Sequence, residues 1–338
     1  MKTTMPAVQA KPNILVLATG GTIAGSAASA AATTGYKAGA LGVEALLSAA
    51  PEIQHCANVT GEQICSIDSK DMTDSIWLQL ARRCNEALAG SGVDGIVITH
   101  GTDTLEETAY FLNLTVHSEK PVVLTGAMRP ATAISADGPM NLLNAVRVAA
   151  YRQAAGQGVL AVLNDQIHSA RDVAKTHTTS VETFRSPELG ALGRVNGGVP
   201  EFYRSSLRLH TLQSEFDVSR LASLPYVKVI YGTANDDALF VDAAVGAGVR
   251  GIVYAGTGNG SVHKDAEAAL AMAAAAGVVV VRSSRTGSGA VIPAEPSYRE
   301  HHLLDGDSLN PQKARVLLQL ALTRTDDLKK IQEMFHKY

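Results

Sequence analysis

Four polar stretches of the sequence hold residues that could do chemistry, and each follows an apolar run typical of a buried strand. Thr22 lies in TGGTIAG, Thr102 and Asp103 lie in ITHGTDTLEETA, and Lys175 lies in RDVAKTHTT. A threonine nucleophile needs a neighbouring base and hydrogen-bond donors for an oxyanion, and these stretches offer candidates for each role. The combination favours acyl transfer over phosphate binding.

Phosphate binding is the alternative chemistry for the stretch around Thr22. Gly20 and Gly21 would let the backbone approach a ligand closely, and N–H groups in such a turn can hold either a phosphate or an oxyanion. The spacing does not match the G-x-G-x-x-G fingerprint of dinucleotide-binding loops, and no GK[ST] follows to make a Walker loop. A tight turn without any ligand would explain the glycines equally well.

The other stretches also have purely structural interpretations. Thr104 and Glu107 have the spacing of a capping box at the start of a helix. In the fourth stretch, GAMRPATAISADGPMNL, pairing of Arg129 with Asp137 would fix a long loop, and this is the interpretation we favour there. Lys175 could be an ordinary solvated lysine, whereas a lysine buried beside a threonine hydroxyl could serve as a general base.

Alternating strand and helix patterns predict the scaffold that would position these stretches. Helical spacing covers 72–90, 104–116 and 310–323, and short apolar runs lie between such segments. This alternation predicts βαβ units and a mainly parallel, doubly wound sheet, in which ligands bind beyond the carboxyl ends of the strands. The predicted strands are 13–18, 94–99, 121–126, 158–164, 226–231, 250–255 and 277–282.

The alternation stops between about 185 and 225, where glycine and turn residues are frequent. The length of 338 residues also suits two domains better than one. We therefore predict an α/β protein with a larger N-terminal doubly wound domain over 11–203, a linker over 204–225 and a smaller C-terminal α/β domain over 226–338.

Composition and charge argue against several classes of protein. The formal net charge is −3 with both signs scattered along the chain, which is not typical of a nucleic-acid-binding surface. No apolar run is long enough to span a bilayer. Cys56, Cys65 and Cys84 lack the spacing of a metal site or a disulfide framework, so we expect small buried residues and no metal. The N-terminus lacks the apolar core of a signal peptide, which favours the cytoplasm, or the periplasm if a signal was removed.

Five motifs, in their order along the chain, resemble those of bacterial type II L-asparaginases and the related glutaminase-asparaginases. The resemblance spans about residues 11 to 338. It implies a homotetramer built as a dimer of intimate dimers, with each active site between the N-terminal domain of one subunit and the C-terminal domain of its neighbour. It also implies an enzyme without a metal or an organic cofactor. The motifs are ATGGTIAG, GEQICSIDSKDMTD, ITHGTDTLEETAYFLNLTV, GAMRPATAISADGPMNLLNAV and LNPQKARVLLQLALT.

The resemblance implies catalytic roles for five residues. Thr22 would be the nucleophile, and Tyr36 would lie on a flexible loop that closes over the substrate and supports Thr22. Thr102 and Lys175 would form a second hydroxyl–lysine pair beside Asp103. Lys175 and Asp103 would tune Thr102, and a water near Thr102 would complete the reaction.

Substrate binding would involve two subunits, according to the same resemblance. Ser69 would hold the α-carboxylate of the substrate, and Asp103 would bind its ammonium. Ser261 and Glu295 would come from the neighbouring subunit. Lys70 would also lie in this pocket, at a position where the family usually has a glutamine or glutamate that helps to hold the ammonium.

Three positions depart from the pattern of the family. Lys70 would repel the substrate ammonium if its charge pointed into the pocket, so we expect it to turn away or to pair with a nearby acid, such as Asp71 or Glu295 of the neighbouring subunit. Ser261 stands where some members have asparagine, and serine there goes with some tolerance of glutamine. Ser118 stands where some secreted members carry a half-cystine, which favours a reducing compartment.

Together these features predict an amidohydrolase that converts L-asparagine and water to L-aspartate and ammonia, with L-glutamine as a slower substrate. Thr22 would form an acyl-enzyme that water hydrolyses in a second step. One alternative is an amidase that prefers L-glutamine or another amino-acid amide. The other is a non-catalytic amino-acid-binding module on the same scaffold, which would hold asparagine without releasing ammonia.

Overall fold

Two β-sheets, one in each half of the chain, organise the structure. The computed structural model describes residues 10–32, 35 and 37–338. Its strands, numbered in chain order, are β1 (Asn13–Gly20), β2 (Asn58–Ile67), β3 (Gly95–Thr99), β4 (Val122–Thr125), β5 (Val159–Leu163), β6 (Gln166–Ser169), β7 (Ala174–Lys175), β8 (Phe184–Arg185), β9 (Gly193–Asn196), β10 (Val199–Phe202), β11 (Val227–Tyr231), β12 (Gly251–Gly256), β13 (Val279–Ser284) and β14 (Leu304–Asp305).

The larger sheet belongs to the N-terminal half and has the strand order β10-β9-β6-β5-β4-β3-β1-β2. Strands β1 to β5 are parallel, whereas β6, β9 and β10 extend one edge in antiparallel fashion. The smaller sheet is wholly parallel, with the order β11-β12-β13-β14. Strands β7 and β8 form a separate antiparallel ribbon. This architecture confirms the predicted fold class, a larger mainly parallel α/β sheet followed by a smaller one.

Among the described residues, four of the ten α-helices begin at a side chain that accepts a backbone N–H group. The hydroxyl of Thr73 accepts the backbone N–H of Ile76, and the side chain of Asn310 accepts that of Lys313, with Pro311 in the first helical position. The helices are α1 (Val43–Ser48), α2 (Ile53–Cys56), α3 (Asp74–Ala89), α4 (Leu105–Thr115), α5 (Gly138–Ala149), α6 (Leu239–Gly246), α7 (Lys264–Ala275), α8 (Pro296–Glu300), α9 (Pro311–Ala321) and α10 (Leu328–Lys337).

Both faces of the larger sheet are buried, because alternate residues of β1 enter different cores. Leu15 and Leu17 pack in a core with residues of α3 and α4, while Ile14 and Val16 pack in a core with residues of α1, α2 and α5. The first core continues into the C-terminal half, where it includes Leu317 on α9. The two halves of the chain therefore share one core, and α9 lies against the N-terminal helices.

Close backbone contact shapes the end of β1. Gly20 and Gly21 have φ angles of 102° and 78°, a conformation that favours glycine. A Cβ atom on Gly21 would lie 2.3 Å from the Cα atom of Gly101, which follows β3. The chain after β1 therefore touches the chain after β3 directly, and a side chain on Gly21 would separate them.

His100 holds the β3 side of this contact from within the core. Its Nδ1 donates to the carbonyl of Gly101 at 2.7 Å, and its Nε2 accepts from the hydroxyl of Thr108 at 2.9 Å. The oxygen of Thr108 in turn accepts the indole N–H of Trp77 at 2.8 Å. Burial lowers the pKa of His100 to about 4, so the ring is neutral and its one proton lies on Nδ1, because the Gly101 carbonyl can only accept.

We expect Gly21→Ala to lower the free energy of unfolding by about 2–5 kcal/mol, since the new Cβ meets the Gly101 backbone at a strained φ angle. Urea denaturation followed by circular dichroism measures the loss. Gly92→Ala is the matched control, because nothing lies within 4 Å of a Cβ atom at that position. Equal unfolding midpoints for the two variants would contradict the contact.

We expect the stability to fall as the pH is lowered from 6.5 towards 4, in part through His100. The ring binds a proton near pH 4 when folded but near its usual value of 6.5 when unfolded, so the unfolded state binds more protons in this window and is favoured there. His100→Gln cannot titrate, and its unfolding free energy should depend less steeply on pH over the same range. Parallel curves for the two proteins would show that His100 does not contribute.

Candidate active site

The carboxyl ends of β1 and β3 bring two of the polar stretches together. The two strands are parallel neighbours in the larger sheet. After β1 the chain forms a short 3₁₀ turn over Thr22–Ala24, in which the first residue is 5% exposed. The contact between Gly21 and Gly101 therefore places Thr22 next to the segment that starts at Thr102.

Ser69 joins this edge from the end of β2. Its Oγ atom accepts the backbone N–H of Asp103 at 3.1 Å, and its carbonyl accepts the hydroxyl of Thr104 at 2.8 Å. Because the Thr104 hydroxyl is used in this way and does not cap α4, the capping-box interpretation of Thr104 and Glu107 is wrong. The hydroxyl proton of Ser69 takes no part in the bond to Asp103.

Lys175 completes the group from the ribbon of β7 and β8. Its Nζ atom donates to Thr102 Oγ1 at 3.0 Å and lies 2.6 Å from Asp103 Oδ1. The side chain of Lys175 is 17% exposed and that of Asp103 is 54% exposed, so the ammonium is mostly enclosed while the carboxylate faces solvent. Lys175 is therefore not an ordinary solvated lysine. We call Ser69, Thr102, Asp103 and Lys175 the Lys175 cluster.

An open cavity of about 400 Å³ gives access to the Lys175 cluster. It is lined by Asp103, Lys175, Thr176, His177 and Thr178. The exposed carboxylate of Asp103 is suited to bind a cationic group of a ligand in this cavity. A hydroxyl held by an ammonium, as that of Thr102 is, can orient a water or a reacting group beside it. The arrangement thus fits the chemistry of a small zwitterionic substrate.

Lys70 follows Ser69 in the chain, but its charge is directed at another residue. Its Nζ atom lies 2.7 Å from Asp68 Oδ2, and its side chain is 66% exposed. The hydrogen bond to Asp68 raises the pKa of Lys70. Lys70 thus pairs with a nearby acid, which is one of the alternatives expected, although that acid is Asp68 rather than Asp71.

Tyr36 lies outside the described residues, so its role stays a prediction. The described residues on either side of Tyr36 are held by hydrogen bonds. Ser26 and Lys37 pair as an antiparallel bridge, with N–O distances of 3.0 Å in both directions. The N–H of Ala27 donates to the hydroxyl of Thr132 at 2.9 Å, so this segment rests on the loop after β4.

The loop after β4 is held by Asp137, though not through the pair that we favoured. The carboxylate of Asp137 accepts the backbone N–H groups of Met128 and Arg129 at 2.9 Å each. The guanidinium of Arg129 donates instead to the carbonyl and the hydroxyl of Ser135. Both side chains fix the loop, but each binds a different partner.

Ser261 and Glu295 lie in the C-terminal half of the chain. Ser261 closes a tight turn after β12, where its backbone exchanges hydrogen bonds of 2.7 and 3.0 Å with Thr257. Glu295 precedes α8 and lines a different cavity, also of about 400 Å³. In the part of the chain that the structure describes, no hydrogen bond or ion pair joins either residue to the Lys175 cluster. The described residues of one subunit therefore do not bring Ser261 or Glu295 into that cluster.

Sequence analysis does not identify Glu106, a buried carboxylate that contacts the strand of Lys175. Its Oε2 atom accepts the backbone N–H of Lys175 at 2.9 Å. In the sequence it is one of two acids in the first turn of a predicted helix, a position that favours acids for electrostatic reasons alone. Only the fold shows that it faces β7.

Residues 10–32, 35 and 37–338 hold neither a metal-binding cluster nor a membrane-spanning helix. These contain no group of three or more His, Cys, Asp or Glu side chains arranged to hold a metal ion. None of the helices there is both long and apolar enough to cross a membrane. Cys84 is buried, Cys56 and Cys65 are half-buried, and all three are unpaired.

Known proteins match the chain over both halves. A family model of the asparaginase N-terminal domain matches residues 13–208, and one of the glutaminase/asparaginase C-terminal domain matches residues 226–335. "L-asparaginase 2" of Bacillus subtilis is 56% identical over 97% of this chain and 87% of that protein. "Probable L-asparaginase periplasmic" of Haemophilus influenzae is 51% identical over 97% of this chain and 93% of that protein.

A solved structure gives the same result for the fold. The crystal structure of a "probable cytoplasmic L-asparaginase" from Campylobacter jejuni superposes with a TM-score of 0.95 at 50% identity, covering 97% of this chain and 100% of that one. These matches confirm the resemblance inferred from the motifs. The chain belongs to the glutaminase/asparaginase family of amidohydrolases.

Proposed function

We propose that this enzyme hydrolyses the side-chain amide of L-asparagine to give L-aspartate and ammonia, with L-glutamine as a slower substrate. The observation that carries the proposal is the contact of Lys175 Nζ with both Thr102 and Asp103, beside the turn that holds Thr22. The names of the relatives, which are L-asparaginases, support the same substrate.

Thr22 is the nucleophile in this proposal. Its hydroxyl oxygen attacks the amide carbon and loses its proton to a base, and the carbonyl oxygen becomes an oxyanion. Backbone N–H groups would stabilise that oxyanion. Those of Gly21, Ala24 and Gly25 already donate to carbonyls, so the proposal assigns this role to other N–H groups at this edge of the sheet. When the intermediate collapses, the C–N bond breaks and the nitrogen leaves with one added proton as ammonia.

Water completes the reaction near Thr102. Because Lys175 donates to Thr102 Oγ1, the hydroxyl proton of Thr102 points away from the lysine and is available to a water. The oxygen of that water attacks the acyl carbon. The bond between the acyl carbon and Thr22 then breaks, one proton of the water returns to the oxygen of Thr22, and aspartate is released.

The charged groups of the substrate have suitable partners at this edge. The hydroxyl proton of Ser69 is available to the α-carboxylate, because its oxygen already accepts the backbone N–H of Asp103. Asp103 offers its second carboxylate oxygen to the α-ammonium. Asp68 compensates the charge of Lys70, which reduces the repulsion between Lys70 and that ammonium.

A homotetramer, as a dimer of intimate dimers, is part of the proposal, with Ser261 and Glu295 supplied by the neighbouring subunit. The buried side chain of Arg282 contacts both loops that lead to these residues. It donates to the carbonyl of Gly260 at 3.2 Å and to that of Ile292 at 3.3 Å. Because one arginine holds both loops, the two residues would be presented to the neighbour as a unit.

We also propose where the domains begin and end, and in which compartment the protein acts. A division into 11–203, 204–225 and 226–338 is supported by the two separate sheets. A cytoplasmic location is supported by the three unpaired cysteines and by the name of the Campylobacter jejuni protein. The name of the Haemophilus influenzae relative supports the periplasm instead, so the compartment stays a prediction.

We expect Thr22→Ala to lower kcat for ammonia release from L-asparagine by about 10³-fold or more, because the attacking oxygen is gone. The matched control is Thr115→Ala, which removes another buried threonine hydroxyl at the far end of α4. Near-normal turnover of Thr22→Ala would refute the assignment of the nucleophile.

The same ammonia assay separates the alternatives when both L-amides are supplied to the unaltered enzyme. A higher kcat/KM for L-glutamine would identify a glutaminase rather than an asparaginase. Binding of asparagine without any release of ammonia would identify a binding module.

We expect Lys70→Gln to lower the KM for L-asparagine by about two- to tenfold with little change in kcat, because a positive charge near the ammonium site is removed. The effect should shrink at high salt, since exposed charges are screened. Lys264→Gln, which removes an exposed lysine at the start of α7, is the control. An unchanged KM for Lys70→Gln at low salt would show that Lys70 does not act on the substrate.

A further inference from the structure

The strand that carries Lys175 has little support of its own. Strand β7 consists of Ala174–Lys175 and pairs, among the described strands, only with the equally short β8. A two-stranded ribbon is marginally stable by itself. The position of Lys175 must therefore be set by contacts outside the ribbon.

Glu106 on α4 supplies the first of these contacts. Its Oε2 atom accepts the backbone N–H of Lys175 at 2.9 Å, and the residue is 5% exposed. Its other oxygen accepts the side-chain amides of Asn310, at 3.4 Å, and of Gln312, both from the start of α9. Since α4 begins just after the two residues that bind Lys175 Nζ, Glu106 ties the backbone of Lys175 to the segment that carries its partners.

Lys313 in the first turn of α9 supplies the second contact. Its Nζ atom donates to the carbonyl of Arg171 at 2.8 Å and to the carbonyl of Val173. These carbonyls stand just before Ala174–Lys175 in the chain. Burial lowers the pKa of Lys313 to about 8, so it still carries its charge at neutral pH. Hydrogen bonds from a charged donor are stronger than those between neutral groups.

A lysine at this buried position is costly unless its charge is compensated. Lys313 is 2% exposed, and an apolar side chain of similar length would fill the same space without that cost. Two carbonyls and the nearby charge of Glu106 offset the cost here. The carboxylate of Glu106 thus holds the N–H of Lys175, and the ammonium of Lys313 holds two carbonyls that precede Lys175 in the chain. Glu106 contacts the start of α9, and Lys313 belongs to that helix.

We propose that Glu106 and Lys313 are positioning residues that hold Lys175 against Thr102 and Asp103. The start of α9, in the C-terminal half, then sets turnover at the site of its own subunit. This inference rests on the proposed function. The C-terminal half would then contribute to two sites. It would act through α9 at the site of its own subunit, and through Ser261 and Glu295 at the site of the neighbouring subunit.

Lys313→Met tests the proposal, because methionine has a similar length and no charge. We expect kcat to fall about 10²-fold and KM to change less than about threefold, since a displacement of a catalytic group on the order of 1 Å has an effect of that size. Lys313→Arg keeps the charge and the donors, and it should retain more activity than Lys313→Met.

Gln319→Met is the matched control on the same helix. Gln319 is 1% exposed, and its amide contacts Asp74 and the carbonyl of Pro225 rather than the strand of Lys175. This variant should lose stability, as measured by thermal unfolding, but keep its kcat. A loss of kcat equal to that of Lys313→Met would show that any buried polar residue of α9 has the same effect, and would overturn the proposal.

A double-mutant cycle with Lys175→Ala separates positioning from a general loss of stability. If Lys313 acts through Lys175, then Lys313→Met lowers kcat in the unaltered enzyme but has little further effect on Lys175→Ala. An equal fold loss in both backgrounds overturns the proposal, and so does an unchanged kcat in folded Lys313→Met. Circular dichroism and size-exclusion chromatography establish that each variant is folded.

Glu106→Gln provides the same cycle if Lys313→Met does not fold. A loss of kcat that disappears in the Lys175→Ala background supports the proposal, and an additive loss overturns it. The single variant Lys175→Ala distinguishes a failure of the proposed function from a failure of the proposed positioning role. Normal turnover in that variant would refute the site itself, whereas a large loss there without any effect of Lys313→Met or Glu106→Gln would refute only the positioning.

Discussion

The enclosed ammonium of Lys175 is the group on which the rest of the site depends. A cation that is only 17% exposed needs acceptors at fixed distances, and Thr102 and Asp103 provide them from the loop after β3. Lys175 itself comes from a ribbon that belongs to neither sheet. The contact holds only if the ribbon and the edge of the larger sheet are fixed relative to each other, and the carboxylate of Glu106 joins the two directly.

The turn that contains Thr22, the proposed nucleophile, depends on a different kind of constraint. Backbone packing of Gly21 against Gly101 positions the turn that contains Thr22. The neutral ring of His100 donates a hydrogen bond to the carbonyl of Gly101 from within the core. Charge and hydrogen bonds position one hydroxyl, while close packing positions the other. The two constraints meet at the adjacent residues Gly101 and Thr102, so one short loop positions both of the hydroxyls to which the proposed mechanism assigns a role.

The strands of the two parallel sheets are the part of the fold that the sequence predicts best. All seven predicted strands have observed counterparts. Six of them are apolar runs that are buried on both faces, whereas β11 contains Lys228 and is only partly buried. The sequence does not predict β2, since NVTGEQICSI mixes polar and apolar residues and is only half-buried. It also does not predict β6, β9 and β10, which are short and follow or contain turn residues.

The local motifs place Thr102, Asp103 and Lys175 at one edge of the sheet, whereas their roles come from the resemblance to a family. The partner of Lys70 is not predictable in the same way, because several acids lie within reach along the chain. The positions of Glu106 and Lys313 beside the strand of Lys175 are even harder to predict from the sequence. The two residues are about 200 positions apart in the sequence, and both contact the segment of Lys175 only because the two halves share a core.

That shared core has a consequence for how such enzymes diverge. A chimera that took its C-terminal half from a relative would also exchange the start of α9, and with it the groups that contact the strand of Lys175. Under the positioning role proposed for α9, substitutions in this helix would change turnover without changing any residue that meets the substrate. Chimeras of relatives should therefore keep both halves of the chain from one parent, or at least the whole interface around α9.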